Sequence, residues 1–171
     1  MDFDTVLFSR KSVRKFKDTP LTKGEIDYLL QAAVSAPNAC NMQSWHFFVV
    51  TDVQKKKELG EMGAVSPNAA SAPLLLVVTT DGEAIVDRFG SRAKDLFIIQ
   101  DTSAAIENIL LAATNIGLSG CWMGSFNEEK LATALGIDQK YGIVAVVPIG
   151  HAAEDNPKRD RKPMEDVVTY I

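Results

Sequence analysis

Two short basic windows stand out in a chain whose formal net charge is −4. Residues 10–17 carry five lysine and arginine residues and residues 158–162 carry four, together half of the 18 in the chain. Arginine presents a planar fork of donors that suits phosphate. Alone, the first window is equally well explained as a solvated charged loop and the second as a disordered linker. Together they predict one anion site, with Arg10, Lys11, Ser12, Arg14, Arg159 and Arg161 as its candidate residues.

A second candidate group is rich in amides and small residues. Asn38, Asn41 and Gln43 offer side chains that both donate and accept hydrogen bonds, and Trp45 adds a flat apolar surface. The small residues within 120–125 would let the backbone approach a ligand closely. A ligand with one phosphate, a polar chain and a flat hydrogen-bonding ring would use both groups. The amides alone are also explained by turn chemistry.

The sequence carries no motif for a protein-borne nucleophile or for a metal. His46 and His151 lie far apart and lack the HxxH or CxxC company of a metal site. There is no Gly-x-Ser-x-Gly elbow, no GxGxxG after a strand, and no GxxxxGKS or GxxxxGKT loop. We therefore predict no metal and no catalytic side chain, and a site that binds the group on which its chemistry depends.

Length and composition predict one domain over residues 1–171. With 46% hydrophobic and 23% charged residues, the composition is that of an ordinary globular protein. The net charge of −4 argues against a general nucleic-acid or membrane binder, since both would be basic. Cys40 and Cys121 are too few for a disulfide framework, and no apolar run approaches the ~20 residues of a membrane span. The N-terminus lacks a signal-peptide pattern, so we expect a cytoplasmic protein.

Hydrophobic periodicity predicts an α+β fold with a mixed sheet flanked by helices, of which one is long and buried. Expected helices cover 2–9, the stretch from a Thr22 capping box to Pro37, 53–62, 102–116 with Asp101 as N-cap, and the stretch from Asn127 to Gly136. Expected strands cover 46–51, 74–79, 118–123 and 143–149, with a loop at 66–68 and partial helix over 82–100. The apolar end Val167–Ile171 follows a charged linker, which favours packing on a partner subunit.

Four segments resemble the nitroreductase family of FMN-dependent NAD(P)H oxidoreductases, and they occur in that family's order. Residues 9–16, SRKSVRKF, are similar to its opening motif, and residues 36–47, APNACNMQSWHF, to its second. Residues 117–126, GLSGCWMGSF, are similar to the third, and residues 148–151 followed by 159–163 resemble the C-terminal phosphate segment. One segment alone would be weak support for the resemblance, but four segments in the family's order, spread over the chain, are strong support. The sequence is identified as a short member of this family.

The resemblance implies a homodimer with two FMN sites at its interface, each built from both subunits, and a C-terminal arm that extends onto the partner. It assigns Arg10, Ser12, Arg159 and Arg161 to the phosphate and Arg14 to the N1/O2 edge of the flavin. The chain near Met123 would run past N5, with the amide of Gly124 as a donor. The complete set of expected cofactor-binding residues is Arg10, Lys11, Ser12, Arg14, Pro37, Asn38, Ala39, Asn41, Gln43, Trp122, Met123, Gly124, Arg159 and Arg161. Of these, Pro37, Asn38, Ala39 and Asn41 would come from the other subunit.

The expected activity is transfer of reducing equivalents from NADH or NADPH to an electron-poor acceptor (a nitroaromatic, quinone or enone) by a ping-pong mechanism. The chain departs from the family at Ser44, where proline is common, which suggests a less rigid loop. Its region 52–100 is short, which suggests an open pocket, and Asn68 is a further candidate ring contact there. The alternatives are an FMN-binding redox sensor or flavin carrier, specialised flavin chemistry such as dehalogenation, and a phosphate- or nucleic-acid-binding module without FMN.

Overall fold

A four-stranded sheet forms the centre of the computed structural model, which describes residues 1–138, 140–155 and 157–171. Its strands are β1 (Trp45–Val50), β2 (Leu74–Asp81), β3 (Ser119–Gly120) and β4 (Tyr141–Gly150), in the order β1-β2-β4-β3. All three ladders are antiparallel. The sequence predicted a mixed sheet. Among the described residues, the parallel pairing is limited to one bridge between Ser12 and Gly120 at the β3 edge.

Helices flank this sheet. In the described part of the chain they are α1 (Phe3–Ser9), α2 (Lys23–Val34), α3 (Val53–Glu61), α4 (Pro67–Ala70), α5 (Glu83–Phe89), α6 (Ile98–Asn115) and α7 (Glu128–Leu135). A π-helical turn (Ala93–Phe97) leads directly into α6, and short 3-10 turns occupy Ala39–Asn41 and Met164–Asp166. The region 82–100 is therefore partly helical, as predicted.

Alternate side chains of β2 pack on opposite faces of the sheet. Leu74, Leu76 and Val78 belong to one buried cluster with α2 and α6, whereas Leu75 and Val77 belong to another with α3, α4 and α7. Successive strand side chains point to opposite faces, so an apolar strand needs cover on both. Because α6 contacts both α2 and the sheet, the predicted α+β class with a long buried helix is confirmed.

The segment Ala93–Asn115 is long and apolar enough, by length and composition, to cross a membrane. Half of its most apolar window is buried inside the fold. Its neighbours there are α2 and the strands, so the apolar surface of this segment serves the core.

Local capping signals set the helix ends where they were predicted. Thr22 forms both halves of a capping box with Glu25, and the side chain of Asn127 caps α7. Gly117 and Gly136 follow α6 and α7 with φ values of 78° and 63°. Glycine adopts this left-handed backbone without the steric cost of a Cβ, so each helix can end at that residue.

Two local predictions were wrong. Asp101 is not an N-cap, because α6 begins at Ile98 as a continuation of the preceding π-helical turn. Residues 66–68 are not a loop, because the side chain of Ser66 caps α4 and Pro67 occupies its first turn. The predicted strand 118–123 is also shortened, since it pairs only over β3 and again through a bridge at Met123.

Lys56 lies on α3, a helix with many charged residues, yet only 5% of its surface is exposed. Its ammonium group donates to the carbonyls of Ala72 and Pro73, each at 2.7 Å, and burial lowers the pKa of this lysine. Replacing Lys56 by methionine should lower the free energy of unfolding by about 1–3 kcal/mol, because two carbonyls lose their donor. Denaturant unfolding measures this difference.

The neighbouring Lys57 provides the matched control, since its side chain is 66% exposed and pairs only with Glu61 at 3.7 Å among the described residues. Lys57→Met should change the free energy of unfolding by less than about 0.5 kcal/mol. Equal destabilisation by the two substitutions would show that the carbonyl contacts of Lys56 contribute nothing specific.

The C-terminal segment leaves its apolar side chains uncovered in the single chain. Val167 is 64% exposed and Tyr170 is 88% exposed. At the start of this segment, the ammonium group of Lys158 donates to the carbonyl of Phe8, which ties the segment to α1. The expectation that the segment packs on a partner subunit stays a prediction.

Candidate functional site

The two basic windows line one cavity of about 430 Å³, which is called the cation cavity below. Six of its lining residues are lysine or arginine, three from each window. The lining residues are Arg10, Lys11, Ser12, Arg14, Pro157, Lys158, Arg159 and Arg161. The fold therefore brings together every phosphate candidate identified in the sequence, although more than 140 positions separate the two windows.

The basic loop reaches this position because apolar residues pin it to the sheet edge. Val13 is fully buried, its amide donates to the carbonyl of Gly120 at 3.0 Å, and Phe16 is also buried. The amide of Lys17 donates to the carbonyl of His151 at 2.9 Å. In an extended segment alternate side chains face opposite ways. With Val13 inward, Ser12 and Arg14 are exposed toward the cavity.

Two cations of the cavity have acidic partners inside the chain. Arg10 Nε lies 3.4 Å from Glu107 of α6, which fixes the guanidinium beside the cavity. Lys11 bonds to Asp155, and this hydrogen bond lowers the pKa of that carboxyl group. In the described part of the chain, no ion pair forms at Arg14, Arg159 or Arg161. The cavity thus keeps an excess of positive charge, which attracts an anion.

A smaller cavity of about 130 Å³ adjoins the cation cavity, and Arg14 lines both. Met123 and Asn68 are among its other lining residues, together with Ser66, Ala69 and Pro148. Met123 is held in place by reciprocal backbone hydrogen bonds with Val146, each 3.0 Å long. The structure therefore brings Arg14, Met123 and Asn68 together. The adjacent Trp122 and Gly124 line neither cavity.

The amide-rich residues form a strained loop between α2 and β1, called the amide loop below (residues 37–44). Cys40, Asn41 and Gln43 have positive φ values of 51°, 56° and 51°. Such a backbone costs roughly 1–2 kcal/mol per residue that carries a Cβ, somewhat less for asparagine. Inside the loop, the side-chain oxygen of Asn38 accepts from the amide of Gln43 at 2.8 Å. The side chains of Asn41 and Gln43 remain exposed.

The amide loop and the cation cavity lie at opposite ends of the sheet. The loop precedes Trp45, which pairs with Thr80 near the end of β2, whereas the basic loop bonds to His151 beyond β4, beside the start of β2. At about 3.3 Å per residue, the length of β2 separates these ends by about 23 Å. Neither cavity is lined by Pro37, Asn38, Ala39, Asn41 or Gln43. Within one chain, the two candidate groups do not form a common site.

The two acidic residues that hold the basic loop and the amide loop in place were not identified from the sequence. Glu107 and Asp101 lie on α6, where the apolar periodicity dominates, and their partners are more than 50 positions away. For Glu107 the available signal is a charged residue within the helix expected to be buried, whereas Asp101 was assigned as the N-cap of that helix. A third cavity, of about 580 Å³, lies between α3 and α4 and is lined by Lys56, Pro67 and Pro73 among others. It contains none of the predicted site residues.

Comparison with known proteins identifies the family of this chain. The family described as "Nitroreductase family" matches residues 7–151, which include the basic loop, the amide loop and all four strands. This chain belongs to the nitroreductase family. A protein of Archaeoglobus fulgidus, named provisionally as an NADH dehydrogenase/NAD(P)H nitroreductase, is 34% identical over 157 residues, covering 88% of this chain and 85% of that protein.

Two further relatives of this nitroreductase-family chain carry names that mention FMN. The FMN reductase (NADPH) of Bacillus subtilis is 26% identical over 177 residues, covering 96% of this chain and 71% of that protein. The solved structure of an FMN-dependent nitroreductase from Clostridium difficile superposes with a TM-score of 0.81 and 27% identity, covering 98% of both chains. The recognition of this chain as a member of the family is thereby confirmed.

Proposed function

We propose that this chain is a single-domain FMN-dependent oxidoreductase that passes reducing equivalents from NAD(P)H to an electron-poor acceptor in a ping-pong mechanism. The class and the cofactor follow from its family: it is an NAD(P)H-dependent flavin oxidoreductase that uses FMN. The acceptor class (nitroaromatic, quinone or enone), the ping-pong order and a cytoplasmic location are the finer parts of the proposal. One observation carries it: the cation cavity adjoins a second cavity through Arg14.

The cation cavity fits the phosphate end of FMN. A phosphate monoester carries about −1.5 to −2 charges at pH 7. The cavity offers six cations and the hydroxyl of Ser12, and only two of those cations are paired with carboxylates among the described residues. Arg10, Ser12, Arg159 and Arg161 would hold the phosphate, with Lys11 and Lys158 adding positive charge around it.

The smaller cavity would hold one edge of the flavin ring. When bound, FMN would supply the two-electron chemistry, and the chain would bind and orient it. Arg14 would place a cation where negative charge develops on the ring during reduction, which favours that charge. The backbone at Met123 and Gly124 would run beside the ring, and Asn68 would offer an amide to its edge. These roles require no acid or base from the protein.

A homodimer would complete the site. The amide loop lies at the opposite end of the sheet from the cation cavity, so another copy of the chain would bring it to a flavin held there. The uncovered apolar side chains of the C-terminal segment, among them Val167 and Tyr170, also favour a partner subunit that buries them. Both features support a dimer in which each flavin contacts the two chains.

The direct test is cofactor content and turnover of the purified protein. It should be yellow, or take up added FMN to about one per chain, and it should oxidise NADH or NADPH with menadione as acceptor. A colourless protein that takes up no FMN would overturn the proposal. An FMN-loaded protein that oxidises neither nucleotide with menadione or a nitroaromatic acceptor would overturn the oxidoreductase activity and favour the carrier or sensor instead.

A further inference from the structure

Asp101 is a buried carboxylate on α6, with 4% of its surface exposed, and most of the other buried residues of that helix are apolar. Burying a charged group is costly unless hydrogen bonds compensate it. Since the mechanism above gives Asp101 no role and it does not cap the helix, its position needs another explanation.

Both oxygens of Asp101 are used by the amide loop. Oδ1 accepts from the backbone amide of Ala39 at 2.9 Å, and Oδ2 accepts from the hydroxyl of Ser44 at 3.2 Å. These two bonds are made at the two sides of the strained segment that contains Cys40, Asn41 and Gln43. A backbone with positive φ at three non-glycine residues persists only where its surroundings hold it. The carboxylate therefore fixes both ends of that segment to the long helix.

The fold does not depend on this contact to place β1. The carbonyl of Ser44 accepts from the amide of Asp81 at 3.0 Å, and Trp45 is buried in the core and pairs with Thr80. Ladder bonds thus hold the strand that follows the loop, whatever happens at Asp101. The carboxylate instead fixes the conformation of the residues between Ala39 and Ser44, which bear the exposed amides.

We infer that Asp101 is a positioning residue that holds the amide loop in the conformation that contacts the flavin ring. Ser44 takes part in this role as one of its two hydrogen-bond partners. The inference rests on the proposed function, because the loop amides have a ligand to position only if FMN binds there. It also assigns a role to Ser44. The buried hydroxyl of Ser44 donates to this carboxylate and so holds the end of the loop on α6.

Asp101→Asn provides the test, since it keeps the shape of the side chain but replaces one acceptor oxygen with a donor. The Kd for FMN should rise about tenfold, because in the neutral amide neither hydrogen bond to the loop is charge-assisted any longer. The Kd for inorganic phosphate, measured by calorimetry, should stay within about twofold, since the cation cavity is untouched. Hydrogen exchange of the amides in residues 38–44 should accelerate about tenfold or more without FMN.

Two further variants keep the test independent of overall folding. Ser44→Ala should produce the same pattern to a smaller extent, because it removes only the hydroxyl bond. Asp95→Asn changes an exposed aspartate six positions earlier on the same helical segment and should leave all three measurements unchanged. Weakened binding of FMN and phosphate together, with a lowered melting temperature, would reduce Asp101 to a structural residue and overturn the inference.

The readouts separate this inference from the function on which it rests. If the unsubstituted protein binds no FMN, the proposed function fails, whereas amide exchange still reports whether Asp101 holds the loop. If the unsubstituted protein binds FMN and Asp101→Asn binds it equally well, the positioning role is wrong and the function stands.

Discussion

Replacing Arg10 by alanine is expected to raise the Kd for FMN about 10- to 100-fold while the Kd for riboflavin stays nearly constant. Riboflavin has the same ring without the phosphate, so the ratio of the two constants isolates the phosphate contact. The effect is large because the guanidinium of Arg10 lines the cation cavity, is only 20% exposed and is oriented by Glu107. A charge-assisted hydrogen bond in such a position contributes about 1.5–3 kcal/mol. Quenching of flavin fluorescence during titration measures both constants.

The matched control for Arg10 lies in the same basic window. Lys15 is 62% exposed, pairs with Glu154 at 3.1 Å and does not line the cavity. Lys15→Ala removes the same charge from the loop and should change the Kd for FMN by less than about threefold. If both substitutions weaken FMN binding equally, the attraction is a diffuse effect of charge and the assignment of Arg10 to the phosphate is wrong.

The sequence predicted those parts of the fold that depend on neighbours along the chain. The capping box at Thr22 and the left-handed glycines at 117 and 136 act within a turn of the residues that they affect. The buried strand β2 was also visible, because apolar residues on both faces need cover on both. The N-cap prediction for Asp101 was wrong although an aspartate before an apolar stripe is typical of an N-cap. Contacts made by the preceding π-helical turn let α6 begin earlier, at Ile98.

The candidate site was predictable only in its components. The two basic windows are compositional features, but their meeting depends on long-range backbone pairing such as Lys17 with His151. The position of the amide loop depends on strand order, which places it at the far end of the sheet. A sequence shows that Asn41 and Gln43 are amides and does not show that they lie at the opposite end of the sheet from the cations of their own chain. That separation supports the proposed dimer independently of the family resemblance.

Mixing two defective chains should restore FMN binding if each site is built from both subunits. One variant, Arg10→Ala with Arg161→Ala, lacks two arginines of the cation cavity. The other, Asn41→Gly with Gln43→Gly, lacks two loop amides, and glycine keeps the left-handed backbone accessible at these positions. Each variant alone should bind FMN at least tenfold more weakly. A mixed dimer concentrates all four substitutions in one site and leaves the other intact, so it should bind one FMN tightly.

Differently tagged copies of the two variants, expressed together and purified through both tags, provide the mixed dimer. Its stoichiometry should be near half that of the unsubstituted dimer, with an unaltered Kd for that one site. Two tagged copies of the arginine variant should show no recovery, which excludes an effect of co-expression. If the sites lay within single chains, every site of the mixed dimer would carry one defect and none would recover. A monomer by light scattering at micromolar concentration would contradict the two-chain site before any mixing, because no second chain would then supply the loop amides.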